Sequence, residues 1–597
     1  MSIEDLLKMN VTSVTKVPEE IRKTSAAISV ITSEDIRRSG ATAVAEVLRW
    51  AAGVSVARND ANKWAISIRG FNGRAANKIL VMIDGRSIYD PLFSGTLWET
   101  RDVFLDDVER IEVLRGPGGS TWGSNAMNGV INIITKDSKD TQGNLIVAGG
   151  GSEERAFSAV RNGGKISDDT FYRVYGKYYN RDNAYLDTHA SDDSYNGQAG
   201  FRIDSKPDEN NRAMLAGTIY NGDHDGVEGI FNNVNGEGGS FQGKWEREVS
   251  RSSRISMNGY YDHIDAEAGL LEEKRDTGEL NVQNENQIYD WFDLIASIQY
   301  RHTRDDIQNS ERVSVDPLRR TDNLVSAGLT GKMELIKDKL DMRLGSKVEH
   351  NDYSDYEFQP DIGVSWLMDQ DNTLWASVSK AVRIPSRLEN DFLITFPDPQ
   401  TVLFRGNPSL DSEKLVSYQT GLRTTISKDL IAGISLFYND YEDLIIAEGA
   451  TIENSAHGNT HGFELAGRLQ ATETWYLSAA YSLLQVDVDI DPGSSANTSE
   501  ASLQEGNSPE HQLFASSRLN LSDDWEFDCN LRYVDSLKDP QVDSYVVGDV
   551  RLAYKIVKGL ELAVVGQNIF ERRHFEQGGS NSSQVQQGVY GKLTWSF

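Results

Sequence analysis

Few groups in this chain have the residue types and spacing that chemistry needs. Arg115-Gly116-Pro117-Gly118-Gly119-Ser120 is glycine-rich enough to suggest a phosphate cradle. It lacks the G-x-x-x-x-G-K-[ST] order and no helical period follows it, so the glycines read instead as tight turns in a packed domain. His457 and His461 stand four apart. On a helix that spacing would seat one metal ion. The surrounding alternation predicts a strand, where the two lie about 13 Å apart, so no metal site is expected. Cys529 is the single cysteine, which excludes an intrachain disulfide and a cysteine metal site. Asp182, Asp187, Asp192, Asp193, Asp223, Asp225 and Glu228 read as a solvated hydrophilic rim, with weak divalent-cation binding as the alternative. No nucleophile, base and orienting partner come together in the sequence, so neither an enzyme nor a cofactor is expected.

The elements that would position these groups fall into two regions. The 597 residues carry 60 Lys and Arg against 90 Asp and Glu, a formal charge of −30, which excludes a duplex-DNA binder. Mean hydropathy is −0.47, and no run approaches the roughly 20 apolar residues of a spanning helix. The start, Met1-Ser2-Ile3-Glu4-Asp5, has neither a basic nor an apolar leader region, so a signal peptide is expected to be absent from this chain. Residues 17–136 read as a mixed α/β domain of about 120 residues, enough for one modest core. Thr32 begins a capping-box-like helix start, and a second helix from Thr42 places Val44, Val47, Leu48 and Ala51 on one face before Gly53. Strands are expected at 65–68, 79–83, 110–114 and 130–135, with Asp84-Gly85 turning 79–83 into a hairpin with 87–89.

From 137 to 597 the period is two. Tyr172, Val174, Gly176 and Tyr178 alternate with Phe171, Arg173, Tyr175 and Lys177, and Trp475, Leu477, Ala479, Tyr481 and Leu483 share one face. A soluble sandwich and a transmembrane barrel both fit such alternation. Aromatics near strand ends, connections that alternate short and long, and an end in which Val589, Leu593, Trp595 and Phe597 share a face favour the membrane. At roughly 21 residues per strand and connection, the region makes about 22 antiparallel strands, a size whose lumen is wide and plugged. The α/β domain is the natural plug.

Ile68-Arg69-Gly70-Phe71, Val81-Met82-Ile83-Asp84-Gly85 and the run 107–136 (DVERIEVLRGPGGSTWGSNAMNGVINIITK) resemble the plug domain of TonB-dependent outer-membrane receptors. In the second region, Ala381-Val382-Arg383-Ile384-Pro385-Ser386, Asn407-Pro408-Ser409-Leu410, the 437–445 run FYNDYEDLI, Gln567-Asn568-Ile569-Phe570 and the terminal Phe597 are similar to recurring barrel signatures of that family. The resemblance covers essentially the whole chain. It implies a Gram-negative outer-membrane importer, monomeric in lipid and without a nucleic-acid partner, for a scarce ligand: a ferric siderophore first, with haem or cobalamin as alternatives. It also implies energising by TonB with its inner-membrane ExbB/ExbD complex. Three segments follow from it: 1–16 with the TonB box, the plug at 17–136, and the barrel at 137–597.

The residues that match the family's coupling box are Val11, Thr12, Ser13, Val14 and Thr15, expected to be extended and exposed for addition to a partner's sheet edge. Arg69 and Arg115 would lock plug to barrel, with Glu112 and Glu464 as candidate partners. Gln419 stands where relatives often carry Glu. Ligand contacts are expected on outward plug loops: Arg58, Asn59, Asp60, Asn62, Lys63 and Trp64 on one, Tyr89, Phe93 and Trp98 on a second, with Arg74. Arg58, Lys63 and Arg74 would meet an anionic ligand, and the aromatics would give rigid contact area. Two rivals from other classes are a passive barrel or surface adhesin, indifferent to proton uncouplers, and a soluble β-rich carbohydrate-active enzyme. With only residues 1–16 ahead of the plug, a transcription-signalling role is not expected.

Overall fold

The computed structural model describes residues 6–74, 76–186, 191–226, 233–395, 402–578 and 582–597. Asp187 and Glu228 of the acidic rim lie outside the described residues.

The period-two region closes into a barrel of 22 antiparallel strands. The first, Gly143–Gly151, pairs with the last, Gly588–Ser596, with Leu145 opposite Ser596 and Gly151 opposite Tyr590. Closure leaves no unpaired edge, which a membrane requires. Ten connections at one end have two to five residues each, while those at the other end reach 29 residues, at 384–412. Short turns mark the periplasmic end and long connections the outer end. Among the described residues five further short strands, Val313–Val315, Phe392–Thr395, Val402–Arg405, Arg573–His574 and Val585–Gln586, belong to the outer connections.

Alternation decides which face meets lipid. Ile219, Ile298, Val160 and Leu329 are 66%, 65%, 56% and 55% exposed, although no soluble protein would leave such residues in water as a continuous band. Trp291, Trp366, Trp475, Trp525 and Trp595 all sit beside short turns or the last strand's periplasmic end and point outward. Tyr178, Tyr261, Tyr300 and Tyr438 form the opposite girdle. Trp291 and Tyr300 are nine positions apart on adjoining chain, about 23 Å of height at ordinary rise and tilt, close to the ~25 Å apolar band of such barrels. Leu329 pairs with Ala296, between these girdles. Leu329→Arg is therefore expected to cost about 2–4 kcal/mol, read as a shift in the denaturant midpoint of unfolding from lipid vesicles.

Inside the barrel lies a five-stranded mixed sheet in the order Ala27–Thr32, Val108–Arg115, Gly129–Thr135, Ile79–Ile83, Arg86–Ser87. Ile79–Ile83 runs parallel to Gly129–Thr135 and turns back through Asp84 and Gly85, both at positive φ (51° and 76°), as a two-residue hairpin requires. Thr32 caps the helix Ser33–Arg38: its side chain accepts from the Asp35 N–H while the Asp35 carboxylate accepts from the Thr32 N–H. The second helix is shorter than its pattern, Val44–Val47 continued by a 3-10 turn Leu48–Trp50, yet Val44, Val47, Leu48 and Ala51 all enter the core with Trp64, Ile66, Ile111 and Ile133. Val54–Arg58 pairs with Trp64–Ile68 as a separate hairpin; the sequence reading found only its second strand. Val54 and Val56 pack in the same core, so neither face of that first strand is left to alternate cleanly.

Candidate functional site

Three features of the plug could couple ligand binding to transport. The first is the N-terminal segment. Asn10–Val11 pairs antiparallel with Glu19–Glu20, and the chain then turns, with the Lys16 N–H donating to the Thr12 carbonyl at 2.8 Å. Val11 and Ser13 are fully buried, and Val14 and Thr15 nearly so. The exposed extended strand expected at Val11–Thr12–Ser13–Val14–Thr15 is therefore not what this state contains: of these only Val11 is strand, and the rest fold against the plug. The reason is Glu112. One of its carboxylate oxygens accepts from the N–H groups of Thr12 and Ser13 at 2.9 Å each and from the Ser13 hydroxyl at 2.7 Å. Trp122 donates its indole N–H to the Ser13 carbonyl at 2.8 Å, and Thr121 its hydroxyl to the Val14 carbonyl at 2.8 Å. Lys16 stacks its ammonium over Trp122, 4.7 Å from the ring centroid. Burial, followed by the charge of Lys347, pulls the Lys16 ammonium well below its ordinary value.

Glu112 thus holds the N-terminal segment rather than joining plug to barrel as expected. Its other oxygen takes Arg110 at 2.9 Å. Positions 112 and 115 are an odd number apart on one strand, so their side chains leave opposite faces of the sheet, and only Arg115 can reach the wall on its side.

The second feature is the latch itself. Arg69, at positive φ (56°), donates to both Glu464 oxygens at 2.9 and 3.1 Å and to Gln419 Oε1 at 2.8 Å. Arg115 reaches the same Glu464 at 2.9 Å and the Ala52 carbonyl at 3.2 Å. Phe437 lies under the Arg69 guanidinium at 4.1 Å. The group is buried, with Arg69, Arg115 and Glu464 at most 5% exposed. One carboxylate serves two guanidinium groups, and the amide of Gln419 supplies a neutral acceptor where a second carboxylate would balance the charge. Burial pulls the Arg115 guanidinium down, Glu464 opposes, and Arg69 adds to the downward shift. Gly53, at φ 73°, passes so close that a Cβ would meet Glu464 Oε1 at 2.5 Å.

The third feature is the plug's outer face. Asn62 donates to the Asp192 and Asp225 carbonyls at 2.8 Å each, and Lys63 to the Asp225 carbonyl at 2.6 Å. Trp64 donates its indole N–H to Glu46 at 2.9 Å. Asp60 caps the same loop through the N–H groups of Asn62 and Lys63, at 3.0 and 2.8 Å. Asp60, Asn62, Lys63, Trp64 and Trp98 are buried, so they shape the loop and do not present themselves to solvent as expected. Polar groups so covered must find partners: Asn62 and Lys63 find backbone carbonyls of the outer connections, while Trp64 and Asp60 find partners within the plug. Arg58, Asn59, Arg74, Tyr89 and Phe93 keep partial exposure. The 89–95 turn sits beneath the outer connections: the Arg387 and Leu388 N–H groups donate to the Pro91 and Leu92 carbonyls at 3.0 Å, and Leu92 packs with Val313, Val315, Phe392 and Ile394. His457 and His461 stand on the strand Thr451–Thr472, His457 against Asp491 at 2.6 Å.

Sequence reasoning missed the ring of ion pairs between plug and wall. Arg38 meets Asp528 at 2.6 Å, Arg49 meets Glu576 at 2.6 Å, Lys177 meets Asp102 at 2.5 Å and Arg275 meets Asp90 at 2.5 Å, while Lys78 pairs with Glu413 and Arg86 with Asp262. The available signal was charge on the inward face of alternating strands, as at Arg173 and Lys177; nothing local names the partner. Asp35 shows the energetics. Burial alone would raise its carboxyl, but Arg468 and Arg518 beside it bring it down to about 2. A carboxyl held below its unfolded value stabilises the fold above about pH 4, and that contribution is lost as pH falls through about 2. Asp35→Asn should therefore lower stability by about 2 kcal/mol at neutral pH and by progressively less toward pH 2, seen as thermal midpoints of the two proteins converging on acidification.

A barrel closed around a latched plug, with a short segment folded beneath it, defines an outer-membrane receptor class. The family model "TonB dependent receptor-like, beta-barrel" matches residues 156–569, and "TonB-dependent Receptor Plug Domain" matches 20–130. The chain belongs to the TonB-dependent receptor family. It is 23% identical over 551 residues to a ferric enterobactin receptor of Pseudomonas aeruginosa, covering 76% of this chain and 72% of the relative. A vitamin B12 transporter of Vibrio vulnificus is 32% identical over 164 residues, 26% of each chain. The crystal structure of a ferric enterobactin receptor mutant from Pseudomonas aeruginosa superposes with a TM-score of 0.80 at 17% identity, covering 99% of this chain and all of the other.

Proposed function

We propose that this receptor imports a ferric siderophore across the outer membrane, with TonB and its ExbB/ExbD partners supplying the work and the chain acting as a monomer in lipid. Ligand binds the outer face of the plug, and binding loosens the segment at 6–16 from Glu112 so that TonB can capture it. The reading assigns no covalent step to the protein. One observation carries the need for energy: the cavities between plug and wall measure about 80, 160 and 250 Å³. Each is smaller than the ~300–1,000 Å³ that an ordinary small-molecule site occupies. None of these three cavities holds a chelate of ordinary size, which favours movement of the plug over a standing passive channel. The relatives named for ferric enterobactin favour an iron chelate over cobalamin, whose named relative matches a quarter of the chain.

Uptake of labelled ferric siderophores, haem and cobalamin by cells carrying this receptor alone tests the reading. A ferric siderophore should accumulate, and a proton uncoupler should abolish accumulation without displacing surface-bound ligand. Accumulation indifferent to the uncoupler would establish the passive channel instead.

A further inference from the structure

The cations expected to receive an anionic ligand are already neutralised. Lys63 pairs with Asp60 at 3.2 Å, Arg58 with Glu46 at 2.8 Å and Arg74 with Glu99 at 3.0 Å. Deeper on the same face Arg101 pairs with Asp262 at 3.3 Å, Arg275 with Asp90 at 2.5 Å and Arg301 with Glu279 at 2.7 Å. The 80 Å³ cavity these last three help to line is walled by the phenol rings of Tyr89, Tyr260 and Tyr353 and holds as many carboxylates, Asp262, Asp322 and Asp352, as arginines, with Asp262 serving Arg86 as well as Arg101. What lies above is acidic. The described residues of the eleven outer connections, from 152–155 to 568–587, hold 21 Asp and Glu against 7 Lys and Arg. That is a formal −14, nearly half of the chain's net charge of −30. Asp223 and Asp225, beside the loop at 58–64, have no ion-pair partner among the described residues, and the Asp225 N–H donates to the Asp193 carbonyl at 3.1 Å, gathering three carboxylates at one edge. Burial first, and then the charges of Asp223 and Asp193, raise the Asp225 carboxyl.

A ligand approaching this mouth crosses a negative field and meets a balanced, tyrosine-lined floor. A polyanion is repelled on approach and finds Arg58, Lys63 and Arg74 each already beside a carboxylate, whereas a cation is steered inward and a neutral chelate is indifferent. We propose that the ligand is a ferric chelate of zero or positive net charge, of the tris-hydroxamate kind, and that the outer face discriminates against ferric tris-catecholates. This rests on the ferric-siderophore reading above and narrows it.

The test uses the full-length receptor in lipid and three probes: a neutral ferric tris-hydroxamate, the same chelate bearing a free ammonium, and a triply negative ferric tris-catecholate. Association rates are measured from low to high salt. The ammonium-bearing chelate should associate fastest at low salt and slow about tenfold between roughly 0.05 and 0.5 M, because screening removes the steering. The catecholate should bind weakest at low salt and speed up as salt rises. Tightest binding by the catecholate would overturn this inference and leave the ferric-siderophore reading standing. Binding of none of the three, with uptake of haem or cobalamin, would overturn both.

Discussion

Deleting residues 3–16 should reduce energised uptake to the uncoupled background while leaving ligand affinity within about twofold, since its described residues, 6–16, make their hydrogen bonds on the inner side of the plug, to Glu112, Thr121 and Trp122. Apart from the Asn10–Val11 pairing and the apolar packing of Val11 and Val14, the polar contacts on 12–14 come from one Glu112 oxygen, the Trp122 indole and the Thr121 hydroxyl. Two of the backbone N–H groups a partner strand would use, those of Thr12 and Ser13, are occupied by Glu112 in this state. Capture by a sheet edge therefore requires their release, and the cost of that release sets how far the segment is exposed before ligand arrives. Glu112→Ala should expose the segment without ligand, measured as faster proteolytic clipping near residue 12 in the unliganded receptor. Normal uptake by the deletion would end the coupling account, whatever the clipping shows.

Glu464→Gln should be the most damaging single change in the plug–wall interface. It leaves Arg69 and Arg115 buried around two neutral amides, and removing one partner from a buried ion pair costs about 3–5 kcal/mol. The plug should then sit loosely, with a lower thermal midpoint and leak of a large antibiotic through the barrel. The two-to-one charge ratio gives a second, opposite test. Gln419→Glu supplies the missing carboxylate 2.8 Å from Arg69 and should partly restore both readings in the Glu464→Gln background. If Glu464→Gln neither loosens the plug nor lowers the midpoint, Glu464 is not the latch. Such a latch must be broken by any mechanism that moves the plug, so the same variant links stability to transport.

Period two, turn lengths and aromatic placement were enough to read 22 strands, because a barrel in lipid must put apolar residues outward at every second position and keep its periplasmic turns short. The Thr32 cap and the Asp84-Gly85 turn were equally legible, since a cap and a hairpin turn are decided within four residues. The opposed faces of Glu112 and Arg115 were also written in the sequence, as an odd spacing on one strand, and the expected pairing of Glu112 with the barrel overlooked it.

Sequence by itself determined the architecture, the family's plug run and the residues Arg69, Arg115 and Glu464 of the latch. Only the tertiary structure decided what each charge faces. Arg69 finds Glu464 across 395 residues, and Ser13 finds Glu112 across 99. It also decided that Lys63 and Trp64 are covered and that the outer cations are spent on carboxylates of the plug and wall. Local pattern sets which side of a strand a residue occupies, but a charge's partner depends on how a closed cylinder and its plug are rotated against each other. That rotation is fixed by the sum of many distant contacts, and no window of the chain contains it.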